Sequence, residues 1–351
     1  MLLEQTLNEI QPLGAGCDAA AQRHLDSLTK PQGSLGRLEE LAHRVAVIQY
    51  RVPPRLGPKL IFVFAADHGI TEERVSAYPK EVTAQMTQNF LDGGAAINVL
   101  ARHYQIKTEV VDVGIDYEFP QFQNLRNFKL RRGTSNFARG PAMTREQARD
   151  SVELGIRLVK ESAPEDLFLL GAGEMGIGNT TSAAAIVCAV TGAVPPDVVG
   201  RGTGVDDETL ARKIAAVESG LRVNCPDAAD PLDVLAKVGG FEIGAIAGVI
   251  LGAAASRIPM VLDGFISGAA ALLAQRFSPQ VREVLFASHL SAERGHRLVL
   301  EALHLDPVLD LDMRLGEGTG ACLAMGLIEA SVKLSREMAT FGSAGVKTKL
   351  S

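Results

Sequence analysis

The sequence predicts an α/β fold: a mostly parallel sheet flanked by helices, with a small helical domain assembled from both termini. Three observations carry that expectation. Short apolar runs alternate with helix-length segments between about residues 59 and 290, the signature of βα units in a parallel sheet. Polar or glycine-rich tips follow the apolar runs, where ligands collect in such sheets. The first fifty residues and the last thirty read as helices with no strand to join. The expected division is a large, Rossmann-like α/β domain over 55–290 and a helical domain from 1–54 plus 291–351.

Composition narrows the functional classes. Apolar residues make up 46% of the 351, enough for a substantial core without covalent staples. Lys plus Arg number 35 against 41 Asp plus Glu, and aromatics are 5% with no Trp, which argues against nucleic acid as the main partner. The four cysteines, Cys17, Cys188, Cys225 and Cys322, form no CxxC pair, and no His-x3-His spacing occurs, so no metal site is expected. Glu4 and Glu9 in the first turns do not suit a signal peptide. The longest apolar stretch, 243–255, is too short to span a bilayer, and a cytoplasmic protein without membrane contact is expected.

Leu2, Leu3, Leu7 and Ile10 recur at helical spacing. After a break at 14–16, helices are expected over 19–28, with Asp18 as cap, and over 35–50, with Ser34 as cap. Pro53 and Pro54 close this section. A strand over 59–69 ends in Asp67-His68; the pair suits metal binding, acid–base work or organisation of its loop, and the last is preferred. Helix follows over 81–101, interrupted at Gly93-Gly94, then a strand over 108–116 with acidic tips. Residues 119–138 read as a long connection, and Thr144 caps a helix over 145–162.

The centre of the chain is the stretch 167–191. An apolar strand over 167–170 leads to Gly171, Gly173, Gly176 and Gly178, which allow positive φ and close approach of a ligand. Asn179, Thr180 and Thr181 suit the cap of the alanine-rich helix that follows, and a helix N-terminus attracts anions. Glu174 is the one charge in this loop; it is either solvated or turned to a sugar hydroxyl or a cation. A second glycine loop over 198–207 precedes the helix 208–220 that carries Lys213. Two helices over 232–255 split at Gly239-Gly240. Strands over 257–264 and 284–289 flank a small-residue helix over 267–274, and 315–320 opens the last helix, 321–338, before a polar tail.

Three functions compete on the residues alone. Gly171-x-Gly173-x-x-Gly176 formally meets the dinucleotide fingerprint of an oxidoreductase. Its strand is not the first of the sheet, however, and the acidic residue about twenty positions on, Asp197, lies in a Pro-Pro loop. A non-catalytic small-molecule or anion-binding protein is also compatible with glycine loops at strand ends. The third reading is a transferase acting on a phosphorylated ribosyl compound.

Nine segments, in order and nearly end to end, favour the third. They are Lys30-Pro-x-Gly-Ser-Leu-Gly-Arg-Leu-Glu39, Ala66-Asp-His-Gly69, Asp112-Val-Gly-Ile-Asp116, Gly140-Pro-Ala-Met143, Gly173-Glu-Met-Gly-Ile-Gly-Asn-Thr-Thr181, Lys237-Val-Gly-Gly-Phe241, Leu262-Asp-Gly-Phe265, Ser288-His-x-Ser-Ala-Glu293 and Met313-Arg-Leu-Gly-Glu-Gly318. Together they resemble the nicotinate-nucleotide–dimethylbenzimidazole phosphoribosyltransferases, which make the lower-ligand nucleotide of cobalamin. The resemblance implies transfer of phosphoribosyl from nicotinate mononucleotide to 5,6-dimethylbenzimidazole, from β to α, without metal or cofactor. It implies Glu317 as general base and Glu174 as a second active-site carboxylate. It places Lys213 near the phosphate and Gly176, Asn179, Thr180, Gly264 and Ser291 in the phosphate and ribose cradle. Tyr78, Met86, Met175 and Leu315 would line the base pocket, with Tyr78 and Met86 replacing a serine and a glutamine of other members. His68 and His289 would organise loops, and the protein would be a homodimer. Without the resemblance, Glu317 equally caps the helix near residue 320, Lys213 is a solvated helix lysine, Ser291 is a helix cap, and the base-pocket residues are plain core.

Overall fold

A computed structural model describes residues 1–14, 16–120, 124–162, 164, 166–202 and 204–347. Residues 121–123 of the expected connection, Thr203 of the second glycine loop, Ala15 of the first break and the last four residues of the tail lie outside this description. Among the described residues, six strands form one sheet: β1 (Lys59–Ala66), β2 (Lys107–Gly114), β3 (Leu125–Asn127), β4 (Leu169–Met175), β5 (Met260–Leu262) and β6 (Leu285–Ala287). All neighbours pair in parallel, in the order β3-β2-β1-β4-β5-β6. This is the order of doubly wound dinucleotide-binding sheets, in which the direction of winding reverses between β1 and β4 and opens a crevice at the carboxyl ends of those strands. A two-stranded parallel ribbon, β7 (His289–Leu290) with β8 (Leu309–Asp310), extends from the end of β6.

The core follows from the pattern of the strands. Every residue of β1 is buried, as a central strand covered on both faces requires. Helices Arg145–Ser162 and Phe241–Ala255 pack together on one face; Ala96–Tyr104 and Thr319–Glu337 pack together on the other. The first pair meets through glycines. A methyl group on Gly155 would run into the Ala245 carbonyl oxygen, and one on Gly248 into that of Val152. The Gly- and Ala-rich stretch 243–255 is therefore a core helix, and among the described residues no helix is long and apolar enough to cross a membrane. Helix Leu2–Glu9 packs on the same pair, and Asp18–Ser27 packs on Arg37–Gln49, which lies on Thr319–Glu337. The two ends of the chain meet where Leu28 bridges Thr340.

Several local expectations are corrected. The connection 119–138 contains β3, an edge strand whose half-exposed residues include Arg126, ion-paired with Glu109 and Glu161, so no apolar run announces it. β4 begins at Leu169 and runs on to Met175, through the first two glycines of the expected loop. Asp18 is the first residue of its helix and makes no cap bond. Ser34 does not cap helix Arg37–Gln49, which starts after Gly36 at φ 54°. There Glu39 accepts from the Leu35 N–H at 2.9 Å and pairs with Lys30 at 2.8 Å, so the Lys30 and Glu39 ends of that motif close on each other. Asn179, Thr180 and Thr181 lie inside helix Asn179–Thr191, whose N-cap is Gly178 at φ 96°. Thr144 does cap: its Oγ1 accepts from the Gln147 N–H at 3.1 Å, while Gln147 Oε1 accepts from the Thr144 N–H at 3.0 Å.

The glycine contact between the two core helices gives a direct test. Gly248→Ala should destabilise the protein by about 1–3 kcal/mol in denaturant unfolding, through forced separation of the helices. Gly342→Ala, in the exposed helix Phe341–Ala344 with its nearest neighbour at 3.9 Å, should leave stability unchanged or raise it by up to ~1 kcal/mol.

Candidate active site

A cavity of about 610 Å³ opens at the carboxyl ends of β1, β4 and β5. All twelve site residues expected from the sequence line it: Glu174, Met175, Gly176, Asn179, Thr180, Lys213, Gly264, Ser291, Leu315, Glu317, Tyr78 and Met86. They come from separate stretches of chain, which the crevice between β1 and β4 gathers together.

Glu317 sits on an unusual turn. Gly316, Glu317 and Gly318 have φ of 85°, 63° and 89°, three consecutive residues in the left-handed region that only glycine adopts freely. The turn is pinned from two sides. Asp263, just past β5, accepts from the N–H groups of Gly318 (3.2 Å), Gly320 (2.7 Å) and Ala321 (3.1 Å). It is therefore Asp263, not Glu317, that supplies the carboxylate at the start of helix Thr319–Glu337. Opposite, Gly173 of β4 lies flat against the Glu317 carbonyl, and a methyl group there would collide with it. Gly171 is likewise confined: a methyl group added to it would stand 2.8 Å from the Met325 methyl. These two glycines are packing positions inside a strand, so the formal dinucleotide fingerprint does not form a phosphate-binding turn.

The Glu317 side chain is 5% exposed, and its Oε2 has no hydrogen-bond partner among the described residues. Burial raises its carboxyl above the ordinary value; the Ile97 N–H, at the start of helix Ala96–Tyr104, pulls the other way, and the charge of Asp263 adds to the rise. Glu174 lies beside the same turn, close against Gly316, and accepts from the Asn179 side-chain amide. Complete burial, with Asp263 and Glu242 nearby, pushes it up to about 8. Two carboxyl groups thus face one cavity, each favouring its protonated form more than a surface glutamate would.

The opposite end of the cavity holds Lys213 and the start of helix Asn179–Thr191. Gly176–Gly178 make the turn from β4 into helix Asn179–Thr191, and a methyl group on Gly176 would collide with the Ala66 carbonyl oxygen at 2.5 Å and crowd the His68 ring at 3.3 Å. His68 is held by Glu242 at 2.6 Å and Ser182 at 3.0 Å and does not line the cavity. Lys213 is 1% exposed rather than solvated; its Nζ donates to Thr180 Oγ1 at 2.7 Å and to the Gly200 carbonyl at 3.2 Å. Burial lowers it to about 8, and the Glu293 carboxylate opposes that shift. Ser291 Oγ accepts from the Glu293 N–H at 3.3 Å, five residues before the nearest helix begins at His296, so it is a turn residue rather than a helix cap. Gly264 faces the His289 ring. Part of the remaining wall is apolar, Val75, Val82, Met86, Met175 and Ile177, with Tyr78 (54% exposed) and Leu315 (57%) at the mouth rather than in the core.

The sequence reading missed Asp263, Glu293 and Arg314 as cavity residues. Each lies inside a quoted motif, next to or near a residue that was chosen, but none carries its role in its local spacing. Among the described residues, no group of three or more His, Cys, Asp or Glu side chains could hold a metal ion.

The Glu174 shift has a stability consequence. Its ordinary value is 4.5 and its folded value about 8. Between these the folded state keeps a proton that the unfolded chain has released, so stability falls as pH rises through that window and levels off above it. Glu174→Gln should flatten this dependence: its melting temperature should fall less than the wild type's between about pH 5 and pH 8. Equal slopes would contradict the assignment.

Comparison with known proteins places the chain in a family. A phosphoribosyltransferase family profile matches residues 10–346. The nicotinate-nucleotide–dimethylbenzimidazole phosphoribosyltransferase of Geobacter sulfurreducens is 56% identical over 345 residues, 98% of each chain. That of Chloroflexus aggregans is 55% identical over 348 residues, 99% of each. The crystal structure of the enzyme from Thermus thermophilus superposes with a TM-score of 0.90 at 49% identity, covering 95% of this chain and 99% of that one. With the strand order and the crevice already in place, these likenesses mean that the chain belongs to the phosphoribosyltransferase family of the nicotinate-nucleotide–dimethylbenzimidazole phosphoribosyltransferases.

Proposed function

We propose that this protein transfers the phosphoribosyl group of nicotinate mononucleotide to 5,6-dimethylbenzimidazole, with inversion from β to α, giving α-ribazole 5′-phosphate and nicotinate. The observation that carries this reading is the buried Glu317 carboxylate, with an oxygen free of partners among the described residues, on a cavity wall between two glycines. A flat heterocycle can enter the cavity beside the Leu315–Glu317 segment of its wall. Its ring N–H then meets Glu317.

The chemistry needs little else. The leaving pyridinium already carries positive charge, so its departure needs no proton donor. The C1′ centre gains oxocarbenium character and the azole nitrogen attacks the far face. As the new bond forms, the azole becomes cationic, its N–H becomes acidic, and Glu317 takes the proton. Burial raises Glu317 towards the working range of a base. Lys213, Thr180 and the N-terminal end of helix Asn179–Thr191 suit the 5′-phosphate. Glu174, with Asn179, suits a ribose hydroxyl, and its protonated form can donate there. The apolar wall suits the dimethylated ring, and the exposed Tyr78 and Leu315 at the mouth fit a homodimer in which a partner covers them.

The reading is tested by incubating the protein with nicotinate mononucleotide and dimethylbenzimidazole: azole-dependent nicotinate release is expected, with an α anomer by proton NMR. A β anomer, or no release, would reject it. Glu317→Gln should bind the nucleotide normally and lose about 10²- to 10⁴-fold in turnover. Lys213 provides an independent check. Burial lowers it to about 8, and a bound phosphate dianion raises it, so nucleotide binding at and above that pH should take up protons. Calorimetry in buffers of differing ionisation enthalpy measures this uptake. Lys213→Met should abolish it and weaken nucleotide binding.

A further inference from the structure

We infer that Arg314 is the specificity-determining residue that reads the ring carboxylate of the nucleotide and so separates the acid nucleotide from its amide counterpart. The inference rests on the transfer reaction proposed above. Four carboxyl side chains line the cavity, those of Glu174, Asp263, Glu293 and Glu317, and they make it hostile to a ligand anion. The cationic side chains on its wall are Lys213 and Arg314; the remaining titratable ring, His289, is buried, bonded to Ser288 and close to the Asp263 carboxylate. Nicotinate mononucleotide carries two anionic groups, a phosphate and a ring carboxylate. Lys213 lies at the helix N-terminus with Thr180, where the phosphate belongs. The ring carboxylate then has Arg314.

The arginine is available and well placed. Among the described residues it makes no ion pair and no side-chain hydrogen bond, although it is exposed at the cavity rim. Its backbone is fixed on both sides: the Met313 carbonyl accepts from the Ala292 N–H at 2.9 Å, and the Gly316 carbonyl accepts from Thr319 N at 3.1 Å and Thr319 Oγ1 at 2.8 Å. The guanidinium therefore springs from the same short, anchored segment as Glu317, three residues earlier, and presents a planar fork that matches a carboxylate.

The interaction strengthens as the reaction proceeds. In the nucleotide the pyridinium charge offsets the carboxylate. When the C1′–N bond breaks, its electron pair goes to the pyridine nitrogen and the leaving ring becomes a net anion. The azole lone pair forms the new C1′–N bond, and the azole proton goes to Glu317. An amide ring leaves uncharged and gains nothing from Arg314.

The test compares nicotinate mononucleotide with nicotinamide mononucleotide, by turnover and by calorimetric binding, in wild type, Arg314→Met and Arg314→Lys. Loss of a bidentate charged pair should lower kcat/KM for the acid nucleotide by about tenfold or more in Arg314→Met. The amide nucleotide should change by less than about twofold, since its ring makes no such pair. Arg314→Lys should fall between, and it decides the matter if the methionine variant does not fold. Equal losses for both nucleotides, or none, would overturn the inference. If the wild type releases no nicotinate, the transfer reaction fails, and Arg314 is judged on binding: acid-selective loss of affinity supports its role, and unselective or absent loss rejects it.

Discussion

Three backbone N–H groups, those of Gly318, Gly320 and Ala321, converge on the carboxylate of Asp263. The site depends on that convergence. It ties the N-terminus of helix Thr319–Glu337 to the end of β5 and supplies the acceptors that a helix start lacks. It also holds Glu317 at a left-handed φ of 63°, a conformation that costs a non-glycine residue about 1–3 kcal/mol unless its surroundings fix it. Gly173 completes the clamp, because only a bare Cα lets β4 approach the Glu317 carbonyl. The motif residues Gly173, Asp263 and Glu317 are thus one mechanical unit, although 90 and 54 residues separate them along the chain.

The cavity joins two opposed environments. At one end, burial and crowded carboxyl groups raise the affinity of Glu174 and Glu317 for protons. At the other, burial lowers the affinity of Lys213 for its proton, with Glu293 holding part of it in place. Each group is uncomfortable alone in the way that a suitable ligand would relieve: a phosphate for the lysine, an acidic N–H for Glu317. The His68–Glu242–Ser182 cluster beneath the Gly176 turn is a support for that turn and does not enter the cavity.

Much of this was legible in the sequence, for identifiable reasons. β1 could be read because a central strand buried on both faces must be an apolar run, and Thr144 because its cap is a local bond. Most of the cavity residues could be gathered because the motifs that hold them stand together in one family. β3 could not be read, since an edge strand with Arg126 in ion pairs has no apolar signature. The roles of Gly171 and Gly173 were misread as loop freedom because their reason is a distant neighbour, the side chain of Met325 for one and the Glu317 turn for the other. Asp263 looked like an ordinary acidic strand tip; its partners lie more than fifty residues on. Local spacing records turns and caps, and it is silent about which distant backbone a side chain will hold.

The central claim is that the free oxygen of Glu317 receives the proton of the incoming heterocycle. A crystal structure of the protein with dimethylbenzimidazole bound tests it most directly. The account predicts a ring nitrogen about 2.6–3.2 Å from the Glu317 carboxylate. A ring seated in the cavity with both nitrogens turned away from that carboxylate would contradict it.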